Sequence, residues 1–257
     1  MPDELLTERD GSMLRVTFNR PEQRNAMTWS MYDGLYDACE AADADDGIRA
    51  MVLRGAGDDA FIAGTDIGQF RDFASGADGI AYEERIGRIV GRLERVAVPT
   101  IATVDGYCVG GGLAIAAVCD LRVATRTAQF GVPIARTLGN CLSMNTYSLL
   151  LSHLGRSRML DMLLRARMLS AGEAHAAGFV CELVDAAELD EAGTGIAERL
   201  AQHAPLSMWA AKEAAHRLRV AGLPDGDDIV GTVFGSEDFR TGVRGFLAKE
   251  KATWRGR

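Results

Sequence analysis

No apolar run in the 257 residues reaches membrane-spanning length, and Met1 to Arg9 holds four charged residues around one apolar pair, Leu5-Leu6, with no secretory hydrophobic segment. A cytoplasmic location is therefore expected. The five cysteines, Cys39, Cys108, Cys119, Cys141 and Cys181, form neither a C-x-x-C pair nor a Cys/His zinc spacing, so reduced thiols and no metal are expected. Basic residues are outnumbered, 28 Lys and Arg against 36 Asp and Glu, and a net charge of -8 argues against nucleic acid or an anionic membrane as partner. The glycines at 106, 110, 111 and 112 lack the G-x-G-x-x-G spacing, no Gly-Lys-Ser/Thr phosphate loop occurs, and no G-x-S-x-G elbow occurs. The four histidines, His153, His175, His203 and His216, all fall in the second half, with no nucleophile motif beside them. Neither a clear internal repeat nor a long linker is present.

What is present is enough apolar sequence, 47%, for one sizeable core. Leu14 to Phe18 alternates as a strand that stops at Asn19-Arg20-Pro21, and Thr28 is placed to cap a helix running to about Ala44. Ala50 to Leu53, Thr100 to Val104 and Leu121 to Ala124 read as further strands; Ile67 to Phe73, Tyr82 to Val96 and Leu113 to Val118 read as helices. Ser75 to Gly79 reads as a mobile loop. The second half is helical over Ser143 to Leu154 and Ser157 to Arg165. A Ser170/Glu173 capping box then opens a short helix ending at Gly178, followed by a strand over Phe179 to Val184. Ala187 to Gln202, Leu206 to Ala221 and Ser236 to Trp254 complete a helical C-terminal region. Alternating strands and helices imply an α/β architecture.

Two stretches stand out. Phe61-Ile62-Ala63-Gly64-Thr65-Asp66 and Val104-Asp105-Gly106-Tyr107-Cys108-Val109-Gly110-Gly111-Gly112 each pass from an apolar run through glycine into a helical pattern. Helix starts present bare N–H groups to negative charge, and glycine lets a ligand approach the backbone. Two such ends can share one oxyanion, which is what an enolate formed from a thioester requires; paired donors of this kind are worth several kcal/mol.

These two stretches, with Cys119-Asp-Leu-Arg-Val-Ala and Phe130-Gly-Val-Pro after them, resemble the crotonase superfamily of enoyl-CoA hydratases and isomerases. Asn19-Arg-Pro-Glu-Gln-Arg-Asn-Ala-Met resembles that family's first CoA-binding loop. Ser170-Ala-Gly-Glu-Ala-His-Ala-Ala-Gly-Phe-Val resembles its helix-to-strand signature, and Phe246-Leu-Ala-Lys-Glu-Lys its C-terminal helix. The resemblance covers essentially the whole chain. It implies a spiral of ββα units, a core over residues 1–200 carrying the CoA and acyl sites, and a helical region over 201–257 for trimerisation and a CoA lid. It also implies a homotrimer or dimer of trimers, an acyl-CoA substrate, and no permanently bound cofactor, coenzyme A being part of the thioester.

Carried over residue by residue, the resemblance makes the amides of Thr65 and Gly111 the oxyanion donors and assigns CoA contacts to Arg24, Ala26, the backbone at Ala63, and Lys249. Thr65 replaces a frequent alanine. Lys249 alternatively reads as a solvated surface lysine, and Asp66 as a charge stabilising a helix start. The departures bear on the reaction. Hydratases of the family carry glutamates where this chain has Ala114 and Ile134, and neither replacement can move a proton. Each missing acid or base is typically worth a factor of about 10² to 10⁴.

Replacements are sought in the segment after Pro133, at Arg136, Asn140 and Cys141, with Thr137 and Asn145 beside them. Arg136 suits a substrate carboxylate, Asn140 a water, and Cys141 titrates; their plainer readings are an ion pair and a small buried thiol. Tyr82, Glu83 and Glu84 sit near the start of a helix that commonly walls the acyl pocket in the family, so one of them could point inward, although a solvated helix face is the expected fate. The expected function is an enolate-stabilising acyl-CoA enzyme with a reaction other than standard hydration: isomerisation, decarboxylation, C–C cleavage or hydrolysis. The alternatives are a catalytically silent acyl-CoA-binding protein and a true hydratase with relocated acid and base.

Overall fold

In the computed structural model, which describes residues 3–256, strands and helices recur in a ββα rhythm. The first unit is β1 (Leu5–Asp10), β2 (Met13–Phe18) and α1 (Trp29–Ala44); the second is β3 (Ala50–Gly55), β4 (Ala60–Ile62) and α2 (Gly76–Glu94). The third is β5 (Thr100–Val104), β6 (Tyr107–Val109) and α3 (Gly111–Val118), and the fourth is β7 (Leu121–Thr125), β8 (Gln129–Gly131) and α4 (Ile134–Thr137). There follow α5 (Met144–Leu164), β9 (Leu169–Ser170), α6 (Ala171–Ala176), β10 (Glu182–Val184), α7 (Leu189–Ala201), α8 (Pro205–Val220), α9 (Asp227–Phe234) and α10 (Glu237–Ala248). The fold is a mixed α/β spiral with a helical C-terminal region.

In the second to fourth units the two strands go to different sheets. A six-stranded sheet has the order β1-β2-β3-β5-β7-β10, parallel except for the β1-β2 hairpin, while β4-β6-β8-β9 form a second, four-stranded sheet. The inner strands of the large sheet, β3, β5 and β7, are largely buried on both faces, as parallel strands covered on two sides must be. One face, with Val52, Ile101 and Val123, meets α7 through Leu189 and Ile196; the other joins the main core under α1, α2 and α3.

Several expectations are corrected. β1 is a charged edge strand, absent from the sequence reading because only Leu5-Leu6 marks it as apolar; its ladder to β2 supplies what its side chains do not. The second sheet's strands, two or three residues long, are too short to show a period. The segment Ser75 to Gly79 is no loop: the Ser75 and Asp78 side chains form a capping box and the helix begins at Gly76. Its glycines are there for close packing, since a Cβ on Gly76 would lie 2.1 Å from the Gly231 carbonyl oxygen and one on Gly79 2.3 Å from Phe234 Cβ. Helix α9 was missed, being short and preceded by Pro224-Asp-Gly, and α10 stops at Lys249 (φ 57°) instead of reaching Trp254. The turn over Ile67–Phe70 is a single 3-10 turn. Gly155, at φ 71°, divides α5 between the two helices read from the sequence. Positions 1, 2 and 257 of the two expected regions lie outside the described residues.

Candidate active site

Strands β4, β6 and β8 run parallel, so their C-terminal ends open on one edge, the usual place for ligands in such sheets. That pairing brings together Thr65 after β4, Gly110 and Gly111 after β6, and Pro133 and Ile134 after β8. All of them line one cavity of about 780 Å³.

The backbone around Thr65 is pinned without using its own amide. Met27 N–H donates to Gly64 O (2.8 Å) and Asp66 N–H to Met27 O (2.9 Å), a parallel bridge that engages the peptides on either side. Gly111 is the first residue of α3, so its N–H has no intrahelical acceptor. A Cβ on Gly111 would lie 3.8 Å from Thr65 N and 2.6 Å from the Tyr32 hydroxyl, and one on Gly112 2.3 Å from Ile62 O. Glycine is required because the two turns touch. The structure thus juxtaposes the amides singled out in the sequence.

Beneath them lies a set of hydroxyls that the sequence reading missed. Thr65 Oγ1 is 2.8 Å from Tyr32 Oη and 2.7 Å from Tyr82 Oη, all three residues being buried. Burial pushes the Tyr32 phenol up to about 12 and the Tyr82 phenol well above its ordinary value, so both remain neutral.

Glu83 is also on the cavity wall. Burial raises its carboxyl to about 7, with the Ser143 hydroxyl and amide acting in the opposite sense; Ser143 N–H donates to Oε2 at 3.2 Å. A solvated helix face, the fate expected for Glu83, is therefore incorrect. The signal was available: Gly79, Glu83, Ile86, Val90 and Leu93 fall at alternating spacings of four and three, one stripe of a helix. Starting the helix at Tyr82 hid the first turn of that stripe.

Arg24, Ala26 and Ala63 line the same cavity, as does Lys249 with Phe246 and Leu247 of α10. Arg24 (φ 50°) is held in its loop by its neighbour Asn25, which is fully buried. The Asn25 amide donates to Ala60 O (2.8 Å) and Ala56 O (3.0 Å), and its carbonyl accepts from Arg20 N–H (2.9 Å). The Arg24 guanidinium stands 5.4 Å from the Tyr107 ring centre. Asp66 caps the 3-10 turn by accepting from Gly68 N–H at 3.0 Å, and pairs with Arg20 at 3.1 Å.

The segment after Pro133 is divided. Asn140 reaches the cavity, with its carbonyl oxygen buried and unpartnered among the described residues. Arg136 is exposed on α4, outside the lining. Cys141 is buried with its thiol 4.0 Å from Ile229 O, away from the lining, and burial pushes it up to about 12, which removes it as an acid or base near neutrality. Asn145 accepts from Arg219 of α8 at 2.8 Å. Ala114 and Ile134 both line the cavity and present apolar side chains there. No group of three or more metal-ligating side chains occurs among the described residues, and no described helix is long and apolar enough to cross a membrane.

Paired strand ends, facing glycine turns and the ββα spiral define a crotonase-fold protein. The methylmalonyl-CoA decarboxylase solved in complex with 2-nitronate-propionyl-CoA superposes with a TM-score of 0.90 over 99% of both chains at 24% identity, a likeness of fold. The enoyl-CoA hydratase/carnithine racemase of Magnetospirillum magneticum superposes with a TM-score of 0.81 at 30% identity, covering 100% of this chain and 97% of that one. A probable enoyl-CoA hydratase of Rhizobium meliloti is 34% identical over 99% of each chain. The family model for enoyl-CoA hydratase/isomerase matches residues 8–257, and the chain belongs to that family.

Proposed function

We propose that the protein binds an acyl-CoA, forms its thioester enolate against the amides of Thr65 and Gly111, and uses Glu83 as a single acid/base to isomerise an enoyl thioester. The observation that carries this reading is Glu83, a carboxyl on the cavity wall that burial raises to about 7. A group titrating near the operating pH is suited both to take and to return a proton. In a 3-enoyl thioester the Glu83 carboxylate removes a C2 proton and the electron pair moves onto the thioester oxygen, held by the two amides. Carbon C4 then recovers the proton from the Glu83 carboxylic acid, leaving the double bond between C2 and C3. No water is consumed, and one carboxyl suffices. Concerted hydration needs two proton-transfer groups, and the apolar walls at Ala114 and Ile134 supply neither.

Arg24 and Lys249, at the mouth, are proposed to meet the CoA phosphates, with Ala26 and the Ala63 backbone alongside, so that an acidic protein offers cations where its anionic ligand enters. Coenzyme A arrives with the substrate, and no resident cofactor is invoked. Exposed Leu206, Trp209 and Leu218 on α8 favour assembly, and a homotrimer or dimer of trimers is proposed.

A second reading, hydration with relocated groups, is favoured by the name of the Rhizobium relative. Mass spectrometry of 2-enoyl- and 3-enoyl-CoAs incubated with the protein in heavy water separates the two. Double-bond migration with deuterium uptake and no added water is expected. Rapid addition of water to a 2-enoyl-CoA would establish hydration instead.

A further inference from the structure

The three hydroxyls beneath the glycine turns lie outside the proton transfers just described, yet they touch every element that performs them. We infer that the Thr65 side chain, with Tyr32 and Tyr82, is the positioning device of the site, holding the Thr65 amide in register with Gly111 and Glu83. This rests on the enolate reading.

Three separate elements meet at one oxygen. Tyr32 comes from α1, Tyr82 from α2 and Thr65 from the turn after β4, and Thr65 Oγ1 lies within 2.8 Å of both phenols. A threonine hydroxyl has one proton to donate and lone pairs to accept with, so it can satisfy both phenols at once. Alanine, frequent here in the family, would leave two buried phenol hydroxyls without this partner, an expensive state. Threonine and the tyrosine pair therefore form a matched set.

The set packs against Gly111, includes Thr65 itself, and adjoins Glu83 along α2. Tyr32 Oη occupies the space a Gly111 Cβ would need, 2.6 Å from that position, so the phenol that bonds Thr65 also packs beneath Gly111. Tyr82 immediately precedes Glu83 on α2, and a shift of Tyr82 carries the carboxyl with it. The turn contains Gly64 at φ 104° and is held through its backbone by Met27. Hydrogen bonds at the Thr65 hydroxyl add a side-chain anchor to α1 and α2, and tying an oxyanion donor in place before reaction is what makes it effective. Because both phenols stay neutral, the role is one of geometry and not of proton transfer.

The test compares two probes bound by the full-length protein: acetoacetyl-CoA, which forms a stable, ultraviolet-absorbing enolate, and butyryl-CoA, a neutral thioester. Thr65→Val, which keeps shape and loses the hydroxyl, is expected to lower the preference for the enolate over butyryl-CoA by about tenfold or more, whatever change it makes in the affinity for butyryl-CoA itself. Thr65→Ser, which keeps the hydroxyl, is expected to retain the preference. Wild-type preference in Thr65→Val, or a loss in Thr65→Ser equal to that in Thr65→Val, would overturn the inference. Should Thr65→Val not fold, Tyr32→Phe, outside the cavity lining, carries the test, and an unchanged preference in it overturns the inference equally. A wild-type protein with no preference for the enolate would overturn the enolate reading itself, a result distinguishable from the variant outcomes.

Discussion

Ser143 donates its backbone N–H to Glu83 Oε2 at 3.2 Å, joining the buried stripe of α2 to the N-cap of α5. Ser143 is thus committed twice, because its hydroxyl also accepts from Thr146 N–H at 3.4 Å to cap that helix. The bond orients a carboxylate that burial otherwise keeps protonated to about pH 7. If Glu83 is the base, the rate of α-proton exchange into an acyl-CoA in heavy water rises with pH through about 7 and levels off above. Glu83→Gln is expected to slow that exchange by about 10² to 10⁴ and to abolish the step. An unaltered profile in the variant would remove Glu83 from the chemistry.

Stability should show two opposing dependences on pH. Glu83 is raised from 4.5 to about 7, so its contribution is fully present below 4.5 and is lost as pH rises through 7. His153 runs the other way. Burial, with Arg122 nearby, lowers it from 6.5 to about 4 while Nε2 faces Ala117 O at 2.9 Å, so its contribution is present above 6.5 and is lost as pH falls through 4. Between 4.5 and 6.5 the two slopes oppose each other. Denaturant melts across that range are expected to be steeper in Glu83→Gln, destabilising toward acid, and to reverse slope in His153→Gln.

The contact between Gly111 and the Tyr32 hydroxyl makes a double-mutant prediction. Gly111→Ala sets a methyl against a buried phenol and is expected to weaken acetoacetyl-CoA enolate binding by about tenfold or more. Adding Tyr32→Phe removes the oxygen in the way, so the pair should be less damaging than the two single effects combined. Strict additivity would show that the two residues act separately.

Gly79 distinguishes a packed helix start from a free loop. Gly79→Val would drive its side chain into Phe234 and should cost about 1–3 kcal/mol in denaturant unfolding. A neutral result would restore the loop reading.

Arg122, 4% exposed, bonds to backbone carbonyls: Phe179 O at 2.5 Å, Ala116 O at 3.0 Å, Asp120 O at 3.3 Å, and Cys119 O. Arg122→Lys keeps the charge and loses the fork that reaches them all, so a loss of about 2–4 kcal/mol is expected from the same measurement.

Where local chemistry decides the outcome, the sequence was legible. Thr28 and the Ser170/Glu173 box cap helices as their spacing implies, and β2, β3, β5 and β7 fall on the stretches read as strands. The two glycine turns carried enough chemistry to be paired on paper. What stayed hidden depends on partners distant in the chain. Strands of two or three residues have no period to read, and yet β4, β6 and β8 are what bring the turns together.

By itself, then, the sequence determined that Thr65 and Gly111 present amides at turns and that Ala114 and Ile134 carry no proton, since those are properties of residue type. Only the tertiary structure decided that a buried carboxyl, Glu83, stands on the cavity wall. Glu83 gains its raised proton affinity from desolvation by side chains far away in the chain, and Cys141 and Arg136 fall away because packing faces one toward Ile229 and leaves the other in solvent.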